Sequence, residues 1–335
     1  MMIEEIESAC VSSQKTGLQR HELEAPELCL RETYYPLGFP TEVATNSPEI
    51  LLQASELWSV FEKRFDTPPI RVDVHVVDTG SEECPPEPVF RIMPSLMVNM
   101  ADVNNYSIAN LEQCRTQMIV SRAAEKYSRY MGYFFLGAAP LCHIASTFAT
   151  PVHAGCVALN GRGVLLCGDS GAGKSTLSYA CARSGWNFIT DDASYVLHDR
   201  EERMVTGNCH QVRFRPSAGK LFPEVDGREI TPRAAGKPSI ELPTAMMPEI
   251  ACVPTAQVDY LVFLNRRVPE PPMLTRHSKD AARHSMRQVL YGSAESLATQ
   301  YAAIERLLTA EIFELRYSDL DWAIERLETL TREGR

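Results

Sequence analysis

The stretch Val164-Leu165-Leu166-Cys167-Gly168-Asp169-Ser170-Gly171-Ala172-Gly173-Lys174-Ser175-Thr176 decides how this chain is read. Its first four residues form an apolar strand, its middle is rich in glycine, and from Lys174 the pattern is helical to about residue 184. Residues 168–175, GDSGAGKS, fit G-x-x-x-x-G-K-[ST] at every position. Glycines let the backbone curl so that successive N–H groups face phosphate oxygens, and the N-terminus of the following helix adds a field that favours anions. On this reading Gly168, Asp169, Ser170, Gly171, Ala172 and Gly173 make a phosphate cradle and Lys174 supplies a positive charge. The Ser175 hydroxyl is placed to ligate Mg2+, and Thr176 supports the same turn. Nucleotide binding follows. The motif does not separate a kinase from an ATPase, a GTPase or a transport subunit, because these share the cradle and differ in the nucleophile.

The neighbouring segments narrow the choice. Downstream, a strand over 186–190 ends at Asp191-Asp192, beside the loop. One such carboxylate can hold magnesium and another can take the proton of an attacking hydroxyl, although paired acids also occur in solvated turns. Upstream, His153 precedes a strand over 154–159, which pairs with 163–167 through the turn Asn160-Gly161-Arg162-Gly163. That hairpin brings His153 toward the phosphates, whereas a histidine taken alone is more often a surface or core residue. Arg213 and Arg215 share one face of a possible strand; they fit a phosphate or substrate clamp and ordinary exposed arginines equally well.

His153-Ala154-Gly155, the loop Gly168 to Ser175 and Asp191-Asp192 together resemble the kinase domain of HPr kinase/phosphorylase, in order and in spacing. His153 stands fifteen residues before Gly168, and Asp191 seventeen after Lys174. The resemblance covers residues 151 to about 198. It implies a P-loop α/β domain akin to phosphoenolpyruvate carboxykinase that transfers phosphate from ATP, with Mg2+, to a protein serine. It also implies that Asp191 is the general base, that His153 lies near the base or the transferring phosphate, and that Asp192 or Ser175 helps hold the metal. Thr176 stands where the family usually carries Glu, which favours kinase over phosphorylase activity. The family's later Arg- and Glu-containing signature is missing, which points to an acceptor other than HPr.

The rest of the chain supplies context. Its 335 residues, 44% hydrophobic and 23% charged, suffice for one large or two modest domains. We expect a flexible arm over 1–25, an N-terminal α+β domain over 26–120, and an HPr-kinase-like catalytic domain over 121–335. Strands are expected within 28–46, over 70–77 and near residues 90, 97, 118 and 258–264. Helices are expected over 47–61, 122–148, 279–289, 294–309 and 319–332. A net charge of -10 argues against a general nucleic-acid partner. None of the ten cysteines falls at C-x-x-C spacing, so reduced thiols are expected. The acidic Met1 to Cys10 is unlike a signal peptide, and the apolar stretch Tyr130 to Leu159 is broken by Pro140, His143, Pro151 and His153. A cytoplasmic protein without a membrane partner is the expectation.

The function expected is an ATP- and Mg2+-dependent kinase acting on a hydroxyl, foremost a serine of a small protein or peptide. A kinase of a small-molecule alcohol and a nucleotide-dependent switch or scaffold are the alternatives. The helices after residue 278 fit a lid or an oligomer interface, and the family resemblance hints at a ring-shaped homo-oligomer, but their apolar faces fit an internal core equally well.

Overall fold

The computed structural model describes residues 28–231, 238–266 and 271–334; the expected arm over 1–25 lies outside them. The first sheet contains β1 (Leu30–Tyr34), β2 (Thr41–Thr45), β3 (Ile70–Val77), β4 (Val89–Ile92), β5 (Leu96–Asp102), β6 (Asn105–Asn110) and β7 (Arg115–Ser121), in the order β1-β2-β3-β7-β6-β5-β4. Its middle is parallel, β2 with β3 and β3 with β7, and the remaining neighbours are antiparallel. Helix α1 (Pro48–Trp58) packs on β1 and β2. Ser47 stands at its N-cap position, yet its hydroxyl bonds to the Glu125 carboxylate instead of a backbone N–H of the helix.

Helix α2, Ser128–Phe148, runs straight through Pro140. Pro140 and His143 do not interrupt it, and two wide turns accompany its passage. The N–H of Gly137 bonds the carbonyl of Gly132, five residues back, and that of Ala149 bonds Ile144. A widened turn just before the proline gives its ring room where a regular helix would clash with the preceding turn. By length and composition α2 is apolar enough to cross a membrane, with 61% of its apolar window buried within the protein. Met131, Phe134, Phe135, Leu136 and Ile144 share one core with Val72, Val74 and Met118 of the first sheet. Each such side chain contributes roughly 1.5–3 kcal/mol on burial.

The second sheet holds β8 (Ala149–Val152), β9 (Ala154–Leu159), β10 (Arg162–Cys167), β11 (Asn187–Thr190), β12 (Ser194–Leu197), β13 (Met204–Gly207), β16 (Thr255–Asn265), β17 (Met273–Arg276) and β18 (Glu311–Arg316). Between β13 and β16, the short pair β14 (Gln211–Phe214) and β15 (Ile240–Pro243) stands apart. Strands β10, β16 and β18 are parallel neighbours. Helices α3 (Lys174–Arg183) and α6 (Leu320–Glu333) cover one face, and α4 (Lys279–Arg287) and α5 (Ala294–Leu307) the other. This is why residues 164–167 are apolar without alternation: Val164 and Leu166 enter one core, Leu165 and Cys167 the other.

One detail of pairing positions the site. Strand β9 lies between β10 and β11 and is antiparallel to both. The start of β9 is therefore flanked by the ends of β10 and β11, which puts His153 between the glycine loop and Asp191-Asp192. The two-residue turn Asn160-Gly161, both at positive φ (52° and 79°), closes the β9–β10 hairpin with the twist such turns favour.

Candidate functional site

The glycine loop leaves β10 at Cys167 and enters α3 at Lys174. Gly173 adopts φ 102°, and a Cβ there would lie 2.8 Å from the Tyr317 hydroxyl, so this position needs glycine on two counts. The Lys174 side chain folds over the loop: Nζ donates to the Gly168 carbonyl at 2.8 Å and approaches the Asp169 carbonyl at 3.4 Å. Only 4% of that side chain is exposed. Burial draws the ammonium below its usual value, and the nearby Asp192 carboxylate works against that shift. The loop thus offers a fixed, poorly hydrated positive charge above a helix N-terminus, a setting in which an anion gains more than it would in water.

His153 bridges Lys174 to Asp192. Its Nε2 lies 2.9 Å from Lys174 Nζ, and its Nδ1 lies 3.5 Å from Asp192 Oδ1. An ammonium only donates, so Nε2 accepts and the ring hydrogen belongs on Nδ1, toward the carboxylate. Asp192 Oδ1 also stands 3.7 Å from Lys174 Nζ. His153 and Asp192 keep about half of their side chains in solvent, 45% and 51%, so this trio forms the mouth of the site.

The neighbouring carboxylate is placed differently. Asp191 is buried, and its Oδ2 accepts from the backbone N–H of Arg213 at 3.0 Å. Burial pushes its pKa up to about 6, against the pull of that bond and of the nearby Ser175 hydroxyl. Adjacent residues at a strand end point to opposite sides, and here one acid faces the protein and the other the mouth.

Ser175 and Thr176 open α3. Ser170 accepts from Arg215 at 3.3 Å, while the Arg213 side chain pairs with Glu241 at 3.2 Å. Of the two arginines, one touches the loop by its side chain and the other reaches the site by its backbone. A hydroxyl backed by a buried carboxylate suits a hard, oxygen-seeking cation such as Mg2+. Among the described residues no group of three or more His, Cys, Asp or Glu is placed to hold a metal ion.

Sequence reasoning missed the flank of the loop formed by β16, β18 and α4. There Phe263, Asn265, Arg266, His277, Ser285 and Glu314 border a cavity of about 280 Å³ against the loop. Parallel pairing of β16 with β18, which brings Phe263 opposite Glu314, assembles residues about fifty apart in the chain.

This is a mixed α/β protein whose chemistry-bearing residues gather around a strand–glycine loop–helix turn. The family model described as HPr Serine kinase C-terminal domain matches residues 145–215, a segment that contains His153, the whole loop and both aspartates. In that segment the chain is similar to the HPr kinase-like family, as a divergent relative. The solved structure of the Hpr(Ser) kinase/phosphatase from Coxiella burnetii aligns over 56% of this chain and 96% of that chain, at 15% identity and a TM-score of 0.31. No curated protein matches the chain.

Proposed function

We propose that this chain is an ATP- and Mg2+-dependent kinase that transfers the γ-phosphate to a hydroxyl, a serine of a small protein or peptide other than HPr, in the cytoplasm. The observation that carries the proposal is the convergence of His153, Lys174 and Asp192 at the mouth of the glycine loop. Similarity of residues 145–215 to the HPr serine kinase C-terminal domain supports it.

The geometry favours a different division of labour between the acids from the one the resemblance implied. A proton acceptor must reach the incoming hydroxyl, to about 3 Å. Asp192 is half exposed at the mouth, whereas Asp191 is enclosed, bonded to the Arg213 backbone and close to Ser175. We therefore assign the base to Asp192 and give Asp191 the task of orienting Ser175. Mg2+ held at Ser175 would neutralise charge on the phosphate oxygens. Lys174 holds the phosphates from its buried position, and His153 keeps Asp192 aligned through its Nδ1–H. In the transfer the acceptor oxygen forms a bond to γ-phosphorus, the bond to the ADP oxygen breaks, and the hydroxyl proton passes to Asp192.

Mass spectrometry of candidate small proteins, after incubation with ATP, Mg2+ and either wild-type protein or Asp192→Asn, tests this reading. A phosphate added by wild type alone is the expected result. Transfer that persists in Asp192→Asn but stops in Asp191→Asn would return the base to Asp191. Transfer to low-mass alcohols alone would make the chain a small-molecule kinase, and Lys174-dependent ATP binding with no transfer at all would favour a switch.

A further inference from the structure

We propose that the cavity between the glycine loop, β16, β18 and α4 takes the nucleoside end of the nucleotide, with Glu314 accepting from the ribose hydroxyls. The inference rests on the kinase reading for the phosphate end and adds the other half of the ligand. The reacting end of the triphosphate must meet Lys174, His153 and Asp192, all on the β9 and β11 side of β10. The remainder must leave on the opposite flank, and that flank is where the cavity opens, since β10 pairs there with β16 and Cys167 lies opposite Phe263.

The cavity's chemistry follows the polarity of a nucleotide. Arg266 abuts the loop, its Nη1 3.3 Å from where a Cβ on Gly173 would stand, and its guanidinium lies 5.4 Å above the Tyr317 ring. Farther along, Phe263 and His277, which both line the cavity, stack at 4.7 Å with a 28° tilt and offer an aromatic surface on which a base packs. Glu314 lines the same space; Asn265 at 2.6 Å and Arg316 at 3.4 Å both bond its Oε1 and hold the carboxyl below its ordinary range. An ionised carboxylate presented to a nucleoside suits the vicinal hydroxyls of ribose, as acidic residues serve in other nucleotide folds. At about 280 Å³ the cavity lies near the lower bound of roughly 300 Å³ for small-molecule sites.

Calorimetry with ATP, 2′,3′-dideoxy-ATP and inorganic tripolyphosphate, each with Mg2+, tests the assignment on the full chain. Ser285→Trp crowds the cavity from the exposed side of α4, and His277→Ala removes half of the ring stack. Each should lower ATP affinity about tenfold, roughly 1.4 kcal/mol, and leave tripolyphosphate unchanged. Glu314→Gln should abolish a severalfold preference of the wild type for ATP over the dideoxy analogue. If all three variants bind ATP like the wild type, or if ATP and tripolyphosphate weaken together, the nucleoside does not occupy this cavity. Lys174→Ala separates the two readings. Loss of both ligands there keeps the loop as the phosphate site whatever the cavity variants do, and undiminished tripolyphosphate binding would overturn the phosphate site and this subsite together.

Discussion

Both halves of the molecule bury a carboxylate with a serine hydroxyl against it, and the two clusters differ in what they leave open. In the first half Glu125 accepts from Ser47 and Arg122, and its backbone carbonyl accepts from Gln53. The cluster ties α1 to the turn that follows β7, and its one exposed member, Arg122, has its charge paired with the buried Glu125 carboxylate. In the second half Asp191 accepts from the Arg213 N–H with the Ser175 hydroxyl nearby, while the next residue, Asp192, stands half in water with His153 and Lys174. A closed cluster contributes to folding alone. An open one, in which a buried cation and a half-exposed carboxylate face the same space, leaves charge available to a ligand.

Lys174→Ala cuts deepest into the open cluster. ATP binding by calorimetry and phosphate transfer should both fall, the latter by about a thousandfold or more, because no other side chain among the described residues supplies a buried positive charge at the loop. Asp192→Asn comes next: turnover should drop by about a hundred- to ten-thousandfold with ATP affinity little changed, and a pronounced loss of affinity would instead mark Asp192 as part of the nucleotide site.

Asp191→Asn should stabilise the protein. Burial raises the carboxyl's pKa to about 6 in the folded protein, against an ordinary 3.8, so the folded state binds its proton more tightly. Wild-type stability is therefore lost as pH rises from about 3.8 to 6, by up to about 3 kcal/mol, and the amide lacks that loss. Thermal melts should match most closely near pH 4 and diverge above pH 6, with the variant melting higher; parallel profiles would refute the raised pKa. Glu125→Gln, in the closed cluster, should cost about 2 kcal/mol by denaturant titration and leave ATP affinity untouched. A change in ATP affinity there would mean that the two clusters are coupled.

Much of this was legible in the chain, unevenly and for physical reasons. The loop, the Asn160-Gly161 turn and the strands on either side were readable because local backbone geometry dictates them. Strand β6 was not, since its alternation is inverted: Asn105, Ser107 and Ala109 are buried, while Tyr106 and Ile108 face outward. Asn105 occupies the interior because its side chain accepts from the N–H and the hydroxyl of Ser121. Strand β18 escaped notice between two clear helices, and with it went Glu314 and the cavity, whose residues meet only through parallel pairing of distant strands. The residues alone left the roles of Asp191 and Asp192 open, and the resemblance implied Asp191 as the base; the strand's own alternation was the signal that one of the two would face inward.

The place of β9 between β10 and β11 has a consequence for how such a site persists and forms. His153, the loop, Lys174, Ser175 and both aspartates come from a single run of forty residues, so folding one hairpin, one helix and one added strand is enough to bring them together. These are contacts of short sequence separation, the kind a chain closes quickly. The segment similar to the HPr Serine kinase C-terminal domain, residues 145–215, contains this whole run, together with Arg213, whose backbone N–H holds Asp191 from outside it.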